Sequence, residues 1–89
     1  MSDKFRMVIA NIYSLPNGPS LTGRIETGTV QIGDSLEIFG DNSVYSVRVT
    51  GIEAFQKSLE TATPESGLVA ISVSGIDAKI IKNRYLLQS

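Results

Sequence analysis

The stretch Leu21-Thr22-Gly23-Arg24-Ile25-Glu26-Thr27-Gly28-Thr29-Val30-Gln31-Ile32-Gly33-Asp34-Ser35-Leu36-Glu37-Ile38-Phe39-Gly40 alternates apolar and polar residues, and Gly28, Gly33 and Gly40 punctuate it. Leu21, Gly23 and Ile25 fall on one side of a strand; Thr22, Arg24 and Glu26 fall on the other. Val30 with Ile32, then Leu36 with Ile38, repeat the pattern. A period of two with turn residues between the runs predicts antiparallel strands with one buried face. Tight turns are expected at Thr27-Gly28 and Gly33-Asp34.

The same reading extends outward. Upstream, Phe5 to Ile12 predicts a first strand, closed by Tyr13 and followed by a loop, Ser14-Leu15-Pro16-Asn17-Gly18-Pro19. Its apolar content on both sides (Phe5, Met7, Val8, Ile9, Ile12) predicts a doubly covered strand or a bulge. Downstream, Gly40 to Ser43 is a polar turn and Val44 to Phe55 a long strand, with Gly51 marking a bulge or bend. Gln56 to Gly67 reads as a loop, and Val69, Ile71 and Val73 mark another half-buried strand. Ile76 to Asn83 suits one helical turn, with Asp77 as its N-cap and Ile80 and Ile81 packing inward. Arg84 to Gln88 is a last strand. Six to eight short strands in 89 residues are expected to form one all-β domain, residues 1–89. A small closed antiparallel barrel is the economical arrangement, because closure removes exposed edges.

Composition narrows the chemistry. The chain has no cysteine and no histidine. Thiolate metal sites and disulfides are therefore excluded, as is Ser-His-Asp catalysis. Net charge is −1 with acids and bases interleaved, which argues against a large phosphate-binding surface. No apolar run approaches membrane-spanning length. The start Met1-Ser2-Asp3-Lys4 lacks an apolar signal core, so a cytoplasmic protein without membrane association is expected. Glu26, Glu37 and Glu53 lie at polar-face strand positions, and nothing in the sequence gathers them into an acid/base pair. Asp34 and Asp41-Asn42 read as turn formers, too few in liganding groups for calcium. No enzyme activity, cofactor or metal is expected.

The order and spacing of a Phe-led strand, Thr22-Gly23-Arg24-Ile25-Glu26, Gly28, Val30, Ile32-Gly33-Asp34, Leu36-Glu37-Ile38, Gly51-Ile52-Glu53, Phe55, Lys57, Gly67 and Ser74-Gly75-Ile76 resemble domain II of the translational GTPases. The likeness is nearest to the domain of elongation factor Tu and runs from Phe5 to Leu87. It implies a β-barrel of the translation-protein type. The phosphate loop Gly-x-x-x-x-Gly-Lys-Ser/Thr and the base-reading Asn-Lys-x-Asp are both absent from the sequence, so no nucleotide binding of its own is expected. The chain resembles the second domain standing alone, as a natural small protein or as a fragment.

In elongation factor Tu this barrel helps hold the aminoacylated end of tRNA. Carried over by position, the resemblance places the family's acidic pair on Ala10 and Asn11, its aromatic on Tyr13, its threonine on Thr22 and its asparagine on Leu68. Tyr13 and Thr22 suit those roles, Asn11 is a neutral stand-in, and Ala10 and Leu68 lose the polar group. A site deprived of such partners loses most of its discrimination. The family's ribosome-contacting loop falls on Pro16-Asn17-Gly18 and its Arg-Gly step on Ser74-Gly75, so two cations are gone. Arg24 is read either as a partner for phosphate or carboxylate, or as a strand-face charge paired with its neighbour Glu26. Phe39, Tyr45 and Phe55 read as core or rim residues rather than a stacking platform.

The expected function is a non-catalytic binding module of the translation-factor type. It presents a barrel rim of Asn11, Tyr13, Thr22 and Arg24 to RNA (tRNA or the ribosome) or to a translation-related protein. The alternative is a protein-interaction or self-associating barrel, a homodimer, using an apolar surface on the first strand, either Met7 and Ile9 or Val8 and Ile12.

Overall fold

The computed structural model describes residues 4–89. Met1-Ser2-Asp3, on which part of the expectation about the chain start falls, lies outside the described residues. The chain forms strands β1 (Arg6–Val8), β2 (Asn11–Leu15), β3 (Gly18–Thr27), β4 (Val30–Gln31), β5 (Ser35–Phe39), β6 (Val44–Ala54), β7 (Lys57–Leu59), β8 (Thr61–Ala62), β9 (Leu68–Ser74) and β10 (Leu86–Gln88). Single 3-10 turns sit at Pro64–Ser66 and Ala78–Ile80. Every strand pairing is antiparallel. The order β1-β10-β5-β6-β9-β3 returns to β1 through the β1–β3 pairing, which closes a six-stranded barrel. β2 continues from β1 along β3, and β7 extends β6 as a hairpin.

The interior follows the alternation. Leu21, Gly23 and Ile25 of β3 point inward with Val69, Ile71 and Val73 of β9, Val47, Val49 and Ile52 of β6, and Leu36 and Ile38 of β5. Met7, Ile9 and Leu87 complete the core at 0% exposure. Each such side chain contributes about 1.5–3 kcal/mol through the apolar surface it removes from water. The expected bulge at Gly51 is present, as a register shift between Val49 and Gly51 where β6 pairs β9.

Several local expectations change. The first strand is two strands with a break at Ile9-Ala10, because β1 also pairs β10 while β2 follows only β3. Of the two pairs considered for a self-associating surface, Met7 and Ile9 are wholly buried, while Val8 and Ile12 stay partly exposed. Tyr13 does not end the strand. β2 and β3 form a hairpin with a tight turn at Pro16-Asn17, and Gly18 and Pro19 already belong to β3. The Gln56–Gly67 loop contains β7 and β8, whose short, mostly polar runs carry no readable alternation. Ten strands result among the described residues, rather than six to eight. Ile32 is 47% exposed, since the turn at Gly33 comes before it can enter the wall. Asp77 caps its turn as expected, its carboxylate accepting from the Lys79 N–H at 2.9 Å; Ile81 is buried but Ile80 is exposed.

Closure depends on one inward-facing position. A Cβ on Gly23 would stand 2.4 Å from the Val8 carbonyl oxygen and 3.3 Å from Met7 Cγ. β1 therefore lies over β3 only because Gly23 has no side chain. Nearby, the Ala10 N–H donates to the Thr22 carbonyl at 2.7 Å, holding the break in register. Gly23→Ala is expected to destabilise the fold by about 2–3 kcal/mol through overpacking. Urea unfolding tests it: the midpoint falls with an unchanged slope, and an unchanged midpoint contradicts the close approach.

Candidate functional site

The four rim residues share one outer surface. On β2 and β3, Asn11 lies opposite Thr22 and Tyr13 opposite Ser20. On β3 and β9, Ser20 lies opposite Ser72, Thr22 opposite Ala70 and Arg24 opposite Leu68. On β9 and β6, Ser72 lies opposite Gly51 and Ala70 opposite Glu53. The rows give a floor of small side chains (Ser20, Ser72, Ala70, Gly51). Tyr13 at 54% and Leu15 at 49% exposure stand along one margin, with Leu68 at 55% and Phe55 at 81% toward the other. Thr22 Oγ1 donates to the Asn11 carbonyl at 3.4 Å, a long bond that ties the pair loosely.

Arg24 is not paired with Glu26. The ion pair is Arg6 Nε to Glu26 Oε1 at 3.0 Å, because the register shift between Arg6 and Met7 brings Glu26 beside β1. Both side chains are half exposed, so the pair adds less than about 1 kcal/mol. Among the described residues no ion pair involves Arg24, and its guanidinium is exposed.

Two clefts open on this surface. One of about 170 Å³ is lined by Thr22, Glu53, Phe55, Gln56, Leu68 and Ala70, among others. A larger one of about 530 Å³ lies at the other end, between Leu15, Pro16 and Asn17 and the Thr50-Gly51 bulge, with Ser72 below. The first is smaller than the roughly 300–1,000 Å³ of ordinary ligand pockets, so it suits one flat or apolar group of a larger partner. Glu26, Glu37 and Glu53 share no cross-strand pair with one another. Asp34 acts as a turn former: its Oδ2 accepts from the Gln31 N–H at 2.9 Å. Among the described residues no three His, Cys, Asp or Glu side chains cluster.

Phe55 is the feature the sequence did not disclose. Alternation along β6 assigns it to the strand, but it occupies the tip of the β6–β7 hairpin with Gln56. Both residues have left-handed backbone, φ 54° and 63°. Such a two-residue turn favours Asn-Gly, and no residue here signals it. A large aromatic is thus held in water at a backbone cost. Replacing the pair, Phe55→Asn with Gln56→Gly, is expected to raise stability by about 1 kcal/mol, since the exposed ring has little burial to lose. Thermal melting checks this, and a lowered midpoint contradicts it.

The comparisons with known proteins agree with the barrel. The family model for elongation factor Tu domain 2 matches residues 18–82. Among solved structures, translation elongation factor SelB from Methanococcus maripaludis in its apo form superposes with a TM-score of 0.88 at 27% identity. The same factor in complex with the GTP analogue GppNHp gives 0.88 at 28% identity. Both cover 98% of this chain, while the chain spans 19% of each SelB chain. With a family match over most of its length and the same closed barrel throughout, the chain belongs to the elongation factor Tu domain 2 family.

Proposed function

We propose that this barrel is a non-catalytic binding module that holds RNA of the translation machinery, tRNA or ribosomal, on the β2-β3-β9-β6 surface. One observation supports the reading above the others: Asn11, Tyr13, Thr22 and Arg24 are gathered on one continuous, small-floored surface and are accessible. Tyr13 offers a ring for a base to stack on, Asn11 and Thr22 offer hydrogen-bonding groups, and Arg24 offers an unpaired cation. Base stacking on an exposed aromatic is worth about 1–3 kcal/mol per base and tolerates any sequence. The surface holds no histidine, cysteine or carboxylate pair for a reaction, so its role is to bind.

The SelB relatives are translation elongation factors, one of them bound to a GTP analogue. The described stretch corresponds to a fifth of their length, and neither nucleotide-binding motif is in its sequence. In this proposal it acts without nucleotide of its own, in the cytoplasm. A self-associating barrel is the second reading, and with Met7 and Ile9 committed to the core it rests on the partly exposed Val8 and Ile12.

Retention on tRNA and on ribosomes at low and at higher salt tests the proposal. Salt-sensitive binding is expected, weakened about tenfold by Tyr13→Ala. Arg24→Gln is expected to reduce the salt slope by about one phosphate contact. No binding at low salt, or binding indifferent to Tyr13, rejects the RNA role and leaves a protein partner for the exposed Phe55 and Leu68.

A further inference from the structure

Strand edges outside the closed circle are where this barrel offers unpaired backbone. Among the described residues four strands pair on one side only: β2 with β3, β7 with β6, and β4 and β8 with each other. β4 and β8 are two residues long and β7 three, with Lys57 at its start. β2 runs for five residues, Asn11–Leu15, and carries neither a charge nor a proline. Short length, lysine and proline are usual guards against edge-to-edge pairing, and β2 has none of them.

The hairpin fixes which backbone groups lie on that edge. Leu15 and Gly18 flank a two-residue turn and form a hydrogen-bonded pair, so alternation makes Ser14–Pro19 a non-bonded pair. Pro19 agrees, since it has no N–H to give. Asn11 and Tyr13 then bond to Thr22 and Ser20, and the N–H and C=O groups of Ile12 and Ser14 point away from β3. Outside the β2–β3 ladder, no backbone hydrogen bond among the described residues reaches Ile12 or Ser14. The Ala78–Ile80 turn comes near β2, but a cleft of about 380 Å³ lies between Ser14 and Leu15 on one side and Ile76, Asp77 and Ala78 on the other.

These outward groups are symmetric about Tyr13. A two-fold axis beside Tyr13 sets Ile12 opposite Ser14 of a second copy, and Ser14 opposite Ile12 of that copy, both as hydrogen-bonded pairs. Tyr13 then meets Tyr13 of the second copy in the non-bonded kind of pair, where side chains approach most closely. No like charges meet, because β2 has no charge and the whole chain only −1. A two-fold contact needs a surface complementary to itself, and this edge is one.

We propose that the chain pairs with a second copy of itself along β2, antiparallel and centred on Tyr13, through main-chain hydrogen bonds of Ile12 and Ser14. This rests on the self-associating reading and gives it a geometry; the RNA reading is independent of it. Pairing leaves the outer surface open and sets two rims side by side across Tyr13. A five-residue edge buries less than the roughly 1,200 Å² of a stable interface, so the dimer is weak and reversible.

The sequence has no cysteine, so single cysteines read the register directly. In the intact chain under mild oxidation, Tyr13→Cys is expected to form a disulfide-linked dimer about tenfold faster than Leu15→Cys, because only the first brings the sulfurs within reach. The axis holds the two position-13 Cα atoms about 4.5 Å apart and the two position-15 Cα atoms about 14 Å apart. Sedimentation of the wild type is expected to show a dimer that grows with concentration. Ser14→Pro, whose ring removes an outward N–H, is expected to abolish it with the melting temperature nearly level. If Ser14→Pro does not fold, the two cysteine rates still decide. A wild-type dimer with equal rates at both positions, or with faster linkage from Val8→Cys, overturns the β2 pairing and keeps self-association on another surface. A wild-type monomer at every concentration, with no linkage in Tyr13→Cys, overturns the pairing and the self-associating reading together.

Discussion

The fold turns on the close passage of β1 over Gly23. β3 pairs along both of its edges. One edge pairs with β9 from Ser20 to Arg24; the other pairs with β2 and then β1. The chain from Arg6 to Leu15 must bend at Ile9-Ala10 to follow it, and the Val8 carbonyl is carried to a point that any Cβ on residue 23 would occupy. Met7 and Ile9 then reach the core, and β1 can pair β10 on its far side. Without that approach the sheet would stay open with two edges. With it, the circle closes and β2 is left flared from it.

That flare connects fold to function. Because β2 leaves the barrel circle after Ala10, its outer side chains project as a margin instead of joining a flat wall, and small residues on β3, β9 and β6 keep the surface beside it low. Asn11, Tyr13, Thr22 and Arg24 owe their common placement to register alone, since they lie on two strands joined by a tight turn. The segment from Ile76 to Ala78 lines a cleft beside β2, and no backbone hydrogen bond among the described residues joins it to Ile12 or Ser14. An edge of that kind invites pairing with another chain. The same packing that closes the barrel therefore brings an aromatic, an amide, a hydroxyl and the Arg24 cation to one outer surface.

Alternation made the barrel legible. Leu21, Ile25, Leu36, Ile38, Val47, Val49, Val69, Ile71 and Val73 all point where period two places them, and Asp77 and Asp34 cap and turn as their side chains predict. What escaped was set by partners distant in sequence. β7 and β8 are too short and polar to show a period, and exist because β6 and β4 offer edges. Arg6, not Arg24, meets Glu26 because of a register shift that no local pattern encodes. Phe55 reads as a strand residue until the hairpin is seen to turn on it, against the usual turn chemistry. Ile9 and the segment before β10 are 75 residues apart in sequence, and their pairing, Arg84 N–H to the Ile9 carbonyl and Ile9 N–H to the Tyr85 carbonyl, shows only in the fold.

The central claim is that one side of the barrel, the outer surface of β2 and the adjoining β3, is the binding surface. Amide chemical-shift mapping of the isotope-labelled chain during titration with tRNA tests it most directly. The account predicts shifts concentrated at Asn11, Tyr13, Thr22 and Arg24, with β4, β5 and the Ile32 corner unmoved. Shifts centred on Ile32, Glu37 and Glu60, or spread evenly over the barrel, would contradict it.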